Sequence, residues 1–282
     1  MNANLASAVA LTITGAAIAS VYAAVVPDSR KDLGSFTTSR EASAEACAVI
    51  DAVYPLRSES QFAALSAGKT HYYILGKDGA KRVVLVHGIT GTWQCAPDFV
   101  DGLVSAGFMV LVYDLYGRGH SSSPPLKYSG RDYAIQLSEL LDHVGWRTAT
   151  VLGYSLGGGI AVEFADAYLE RVDDLVLVAP AGLLQDIPLV AKIVLLPILG
   201  PIIGYSFGRR ILKSRNASDL NPRYRNAPQT IRSLAMLNAN IDHHPGLLRA
   251  FLETVRSGPI RGSEASYARV APRLKDRLLC VW

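Results

Sequence analysis

From residue 70 onward the chain alternates between two hydrophobic rhythms. Short continuous apolar runs appear at "RVVLVHG", "FMVLVYD", "ATVLGYS" and "DDLVLVAP". Between them lie segments with apolar residues at helical spacing: "PDFVDGLVSAG" with its terminal glycine, "GRDYAIQLSELLDHVGW" and "LGGGIAVEFADAYLE". A continuous apolar strand is buried on both faces. Strands of that kind alternating with helices predict an α/β domain, a mostly parallel sheet flanked by helices. "THYYILG" (70–76), followed by the turn-like "KDGAK", predicts one strand ahead of these, and "EASAEACAVIDAV" (41–53) a short helix.

The rhythm breaks after Pro180. Residues 183–258 hold no convincing strand, and "IPLVAKIVLLPILGPIIGYSFGRR" (187–210) is apolar but carries Pro188, Pro197, Pro201 and Lys192. Prolines and a charge argue against a second membrane span and favour an inserted helical lid. "DRLLCVW" (276–282) begins another buried strand, inside which the sequence stops. The expected organisation is an N-terminal segment 1–26, a linker 27–68, an α/β core 69–182, a lid 183–258, and the start of the rest of the core, 259–282, with the last strand or strands missing.

The uncharged run Leu5–Val26 matches the roughly 30 Å thickness of a bilayer if helical. It reads as an uncleaved anchor, as a secretory signal cut near Ala23, or as a buried helix. No Lys or Arg precedes it, which weakens the signal reading. The expected location is therefore membrane-associated, with a secreted or luminal protein as the alternative.

Composition adds limits. Half of the 282 residues are hydrophobic, enough for a sizeable core. The net charge of +4 is uneven: from Leu183 onward there are 15 Lys/Arg against 6 Asp/Glu. A solvated basic face explains this, with anionic lipid headgroups as the sharper reading. No basic–aromatic motif suggests nucleic acid. Cys47, Cys95 and Cys280 are too far apart in sequence for a zinc motif and too few for a disulfide scaffold. "NAS" (216–218) matches a glycosylation sequon, relevant only in a luminal domain.

The candidate chemistry lies in "VLGYSLGGG" (151–159), which contains G-x-S-x-G from Gly153 to Gly157. At a strand-to-helix junction this motif makes a sharp turn that lifts the serine hydroxyl above the sheet, beside the positive end of the following helix. Ser155 is thus the candidate nucleophile; the bland alternative is a serine that only caps a helix. An oxyanion hole needs two N–H donors. Leu156 supplies one, and Ile89, in "VLVHGITG" after an earlier strand, the other. His87 reads as structural.

These two motifs, with "YDLYGRGHS" (113–121) between them, resemble the α/β-hydrolase superfamily, in particular its monoacylglycerol-lipase-like branch. The resemblance covers roughly residues 70–282. It implies that Asp114, Gly117, Gly119 and Ser121 shape the loop after a central strand, and that His120 is structural. Serine rather than aspartate at position 155 separates the chain from the epoxide hydrolases and haloalkane dehalogenases of this fold, and points to acyl transfer. In such families the acid and histidine follow the serine in sequence, so both are expected beyond Trp282. Asp186 is an alternative acid position. His243 and His244, in "NIDHHPG", read as solvated imidazoles in a loop, and adjacent histidines without a third ligand make no zinc site. The expectation is a serine esterase or lipase acting on a small lipophilic ester, with no metal and no cofactor, weak or inactive as this chain. The alternatives are a non-catalytic lipid- or partner-binding protein and an acyltransferase.

Overall fold

The computed structural model describes residues 58–185 and 195–282, without 96 and 219, together with residues 20, 22–26, 51–53, 55–56 and 192. Seven strands form one sheet: β1 (Gln61–Leu65), β2 (Gly68–Leu75), β3 (Arg82–Val86), β4 (Met109–Tyr113), β5 (Ala149–Tyr154), β6 (Val172–Val178) and β7 (Leu278–Val281). Their order is β1-β2-β4-β3-β5-β6-β7. The last five neighbours in that order run parallel, while β1 and β2 form an antiparallel hairpin at one edge, with β2 antiparallel to β4. The predicted strands are all present. The sheet also begins earlier than the hydrophobic pattern suggests: β1 lies within the stretch expected to be linker. Its sequence, QFAAL, has an apolar run of only four residues, two of them alanine, and buries only Ala63, a weaker signal than the β-branched runs of the central strands.

The apolar runs divide between two faces. On one, Val84, Val86, Leu111, Tyr113, Val151, Leu175 and Leu177 pack with α2 (Gly130–His143), α3 (Leu156–Ala167) and α7 (Glu264–Leu274). On the other, Val83, Leu85, Val110, Val112 and Leu152 pack with Trp93 and with Val100 of α1 (Pro97–Ser105). Alternate residues of one strand point to opposite faces, so an unbroken apolar run serves both layers. α2 starts at a capping box in which the Ser129 hydroxyl accepts from Asp132 N–H, and the Asp132 carboxylate accepts from Ser129 N–H.

Residues beyond the sixth strand form helices α4 (Leu199–Ser218), α5 (Pro228–His243) and α6 (Leu247–Ser257). They share a small core of Leu212, Ile241, Leu247, Leu248 and Leu252. Among the described residues no helix is long and apolar enough to cross a membrane. Most of the run Leu5–Val26, the 41–53 stretch up to residue 50, and Asp186 lie outside the described residues. The sequon asparagine, Asn216, sits in the last turn of α4 with its Nδ2 buried, so the folded helix shields the atom a glycan would need.

Candidate active site

The parallel register aligns strand ends. Val86 of β3 lies opposite Gly153 of β5, Tyr154 opposite Val178 of β6, and Val178 opposite Val281 of β7. All these carboxyl ends open on one edge of the sheet, the usual place for a ligand in a parallel α/β fold. Ser155 sits there, between β5 and α3, with φ 54° and ψ −121°. A non-glycine residue in that region carries about 1–3 kcal/mol of strain and persists only where its surroundings impose it. Here they do. Ser155 N–H donates to Val178 O at 3.0 Å, and Ser155 O accepts from Ala181 N–H at 2.8 Å and Gly158 N–H at 3.0 Å. A Cβ on Gly157 would overlap the Val86 carbonyl, and one on Gly153 would overlap the Gly157 carbonyl, so the turn requires glycine at both places. The hydroxyl makes no cap bond and the residue is exposed, so Ser155 is not acting as a helix cap.

The structure brings the expected oxyanion segments to this serine. Leu156 is the first residue of α3, where N–H groups have no intrahelical acceptor. Gly88 lies so close that an added Cβ would stand 3.6 Å from Ser155 Cβ. Ile89 follows, its carbonyl held by Arg118 Nε at 3.0 Å. His87 Nε2 accepts from Leu115 N–H at 2.9 Å, which leaves Nδ1 protonated to donate to Gly88 O at 2.8 Å. Burial pushes the His87 imidazole down to about 4, so it is a neutral peg that fixes the loop.

Arg118 is the residue that sequence reasoning passed over. Its fully buried guanidinium donates from Nε to Ile89 O, from Nη1 to Tyr116 O at 2.9 Å and Tyr133 OH at 2.8 Å, and from Nη2 to Thr254 Oγ1 at 3.1 Å. One side chain therefore ties the Gly88–Ile89 loop to α2 and to α6. Its only sequence signal was its place in "YGRGHS", between glycines that read as loop.

The same loop receives the lid. Gly119 N–H donates to Asn240 Oδ1 at 3.1 Å, and Arg249 donates to Ser123 O. His244, expected to be solvated, is fully buried at this seam. Its Nδ1 accepts from Gly246 N–H at 3.2 Å, so Nε2 donates toward Ser121 O at 3.4 Å. Burial pushes this imidazole down to about 4 as well. The polar look of "NIDHHPG" hid a buried residue because a lid-to-core seam satisfies its ring nitrogens with backbone groups.

Asp114 anchors the loop from below. Burial acts to raise its pKa, but the hydrogen bond from His71 acts against it, and the carboxyl stays below its ordinary value. Oδ2 accepts from His71 Nδ1 at 2.7 Å and from His120 N–H at 3.0 Å.

Residues 81–194 match the family profile described as the alpha/beta hydrolase fold. A solved hydrolase from Pseudomonas aeruginosa superposes with a TM-score of 0.60 at 25% identity, over 76% of this chain and 78% of that one. The chain has the α/β-hydrolase fold. Among curated relatives, an uncharacterized protein of Mycobacterium tuberculosis is 33% identical over 140 residues, 49% of this chain and 39% of the relative. The carboxylesterase YbfK of Bacillus subtilis is 30% identical over 131 residues, 46% of this chain and 44% of the esterase. The chain thus spans about two fifths of the length of the curated relatives it matches.

Proposed function

We propose that this α/β hydrolase cleaves carboxylic or lipid esters through an acyl-enzyme on Ser155. The observation that carries the reading is the strained, exposed serine held against the Gly88–Ile89 loop and the first turn of α3. Ser155 Oγ attacks the ester carbonyl, the alcohol leaves, and water then releases the acid. The N–H groups of Leu156 and Ile89 hold the oxyanion, and one such donor contributes roughly 100- to 1,000-fold in rate. Leu196, Ile198, Leu199 and Phe207 are exposed at the start of the lid, an apolar surface suited to an alkyl chain. Each methylene buried there contributes about 0.8 kcal/mol. The likeness to a carboxylesterase supports the same reaction class. The reading assigns no acid and no base: His87 and His244 are neutral pegs of the packing.

The test is reaction with a serine-directed phosphonate and turnover of p-nitrophenyl esters of graded chain length, in the wild type and in Ser155→Gly. Turnover that disappears with Ser155 supports the reading. Hydrolysis that survives the substitution refutes it, and binding of an alkyl ligand without turnover or covalent labelling would favour a non-catalytic binding protein.

A further inference from the structure

A second serine stands in line with a histidine and a carboxylate, away from the elbow. Ser60, partly buried in the turn before β1, has its Oγ 2.8 Å from Nε2 of His71 on β2. Nδ1 of the same ring lies 2.7 Å from Asp114 Oδ2, at the end of β4. His71 and Asp114 are fully buried.

An ionised carboxylate accepts only, so His71 Nδ1 carries a proton, and in the neutral ring Nε2 offers its lone pair to the Ser60 hydroxyl. That is the connectivity a serine nucleophile requires: hydroxyl, imidazole acceptor, and a buried acid that holds the tautomer. The ring is also held in place. Phe62, Tyr73 and His120 surround it with centroids at 5.0, 4.9 and 5.0 Å, and His71 N–H donates to Ser121 Oγ at 3.0 Å. The carboxylate is fixed in turn by His120 N–H.

We propose that Ser60, His71 and Asp114 form a second nucleophilic centre, which accepts an acyl or phosphonyl group from a small activated ester. Ser60 Oγ attacks the electrophilic carbon or phosphorus while its proton passes to His71 Nε2. The bond to the leaving group breaks, that group departs with the electron pair, and Nε2 returns the proton to it or to water. The Phe62 ring, partly exposed beside His71, offers an apolar face to an aryl leaving group. Ser155 takes no part, so this centre stands or falls separately from the elbow.

The experiment is labelling of the full chain with a fluorophosphonate, followed by peptide mass mapping, in the wild type and in Ser155→Gly. An adduct on Ser60 is expected in both, and it should vanish when Ser60→Ala is added. No adduct on Ser60 in either protein overturns the proposal, whether or not Ser155 is labelled. A second readout uses Ser60→Cys. A thiol paired with His71 should react with iodoacetamide roughly tenfold faster at pH 7 than exposed Cys280 of the same molecule. Equal or slower alkylation would show that His71 does not activate position 60.

Discussion

Thr254 of α6 carries more of the lid's attachment than its size suggests. Its hydroxyl donates to Ala250 O at 2.6 Å, which uses its only hydrogen. The 2.7 Å contact with Tyr133 must then run from the tyrosine, and the second lone pair takes Arg118 Nη2 at 3.1 Å. All three capacities of the hydroxyl are filled in a site with no exposure. Thr254→Val keeps the shape and removes the oxygen. It leaves a guanidinium N–H and the Tyr133 O–H without an acceptor in the interior, at a cost of roughly 1.5–3 kcal/mol for the charged bond and 1–3 for the phenol. Extra apolar burial by the new methyl returns about 1 kcal/mol. The net loss should be about 1.5–5 kcal/mol. Urea unfolding should show it as a lower midpoint at unchanged slope. Thr254→Ser keeps the oxygen and should lose only about 1 kcal/mol, for one buried methyl. A valine variant within about 0.5 kcal/mol of the wild type, or a serine variant less stable than the valine one, would refute the account of Arg118 as a satisfied buried cation.

Three further outcomes follow from the geometry. Ser155→Gly should raise stability by about 1 kcal/mol, because glycine accepts φ 54° without strain, while turnover is lost; a less stable variant would remove the strain argument. Gly157→Ala should destabilise by about 3 kcal/mol or more, because its Cβ meets the Val86 carbonyl and not a movable side chain, and a wild-type unfolding midpoint would contradict this. Both His87 and His244 titrate at about 4 in the folded protein, well below an ordinary imidazole, so the unfolded chain binds more protons between those values. Stability should therefore fall by a few kcal/mol as pH drops from about 6.5 to 4, and a flat profile across that window would show that the two rings are not buried neutral.

The parts of the fold that were legible in sequence are those where one short stretch carries the whole signal. Val83–Val86, Val110–Tyr113 and Leu175–Val178 announce strands because both faces of a covered sheet are apolar. Gly153 and Gly157 announce the elbow because a tight strand-to-helix turn has no room for a side chain at either place. β1 escaped notice because an edge strand needs only Ala63 buried, and its hairpin partner supplies the remaining information.

The sequence by itself determined the layer architecture, the strand-to-helix turn at Ser155 and the segments that face it, since hydrophobic period and glycine placement act over a few residues. Only the tertiary structure decided where the polar residues go. Arg118 meets Thr254 across 136 positions, and Ser60, His71 and Asp114 converge from a turn and two different strands. His244 is buried because the seam between lid and loop offers its nitrogens Ser121 O and Gly246 N–H. The physical reason is common to all of these. A polar side chain tolerates burial only when partners satisfy it, and partners distant in the chain leave no local trace in the sequence.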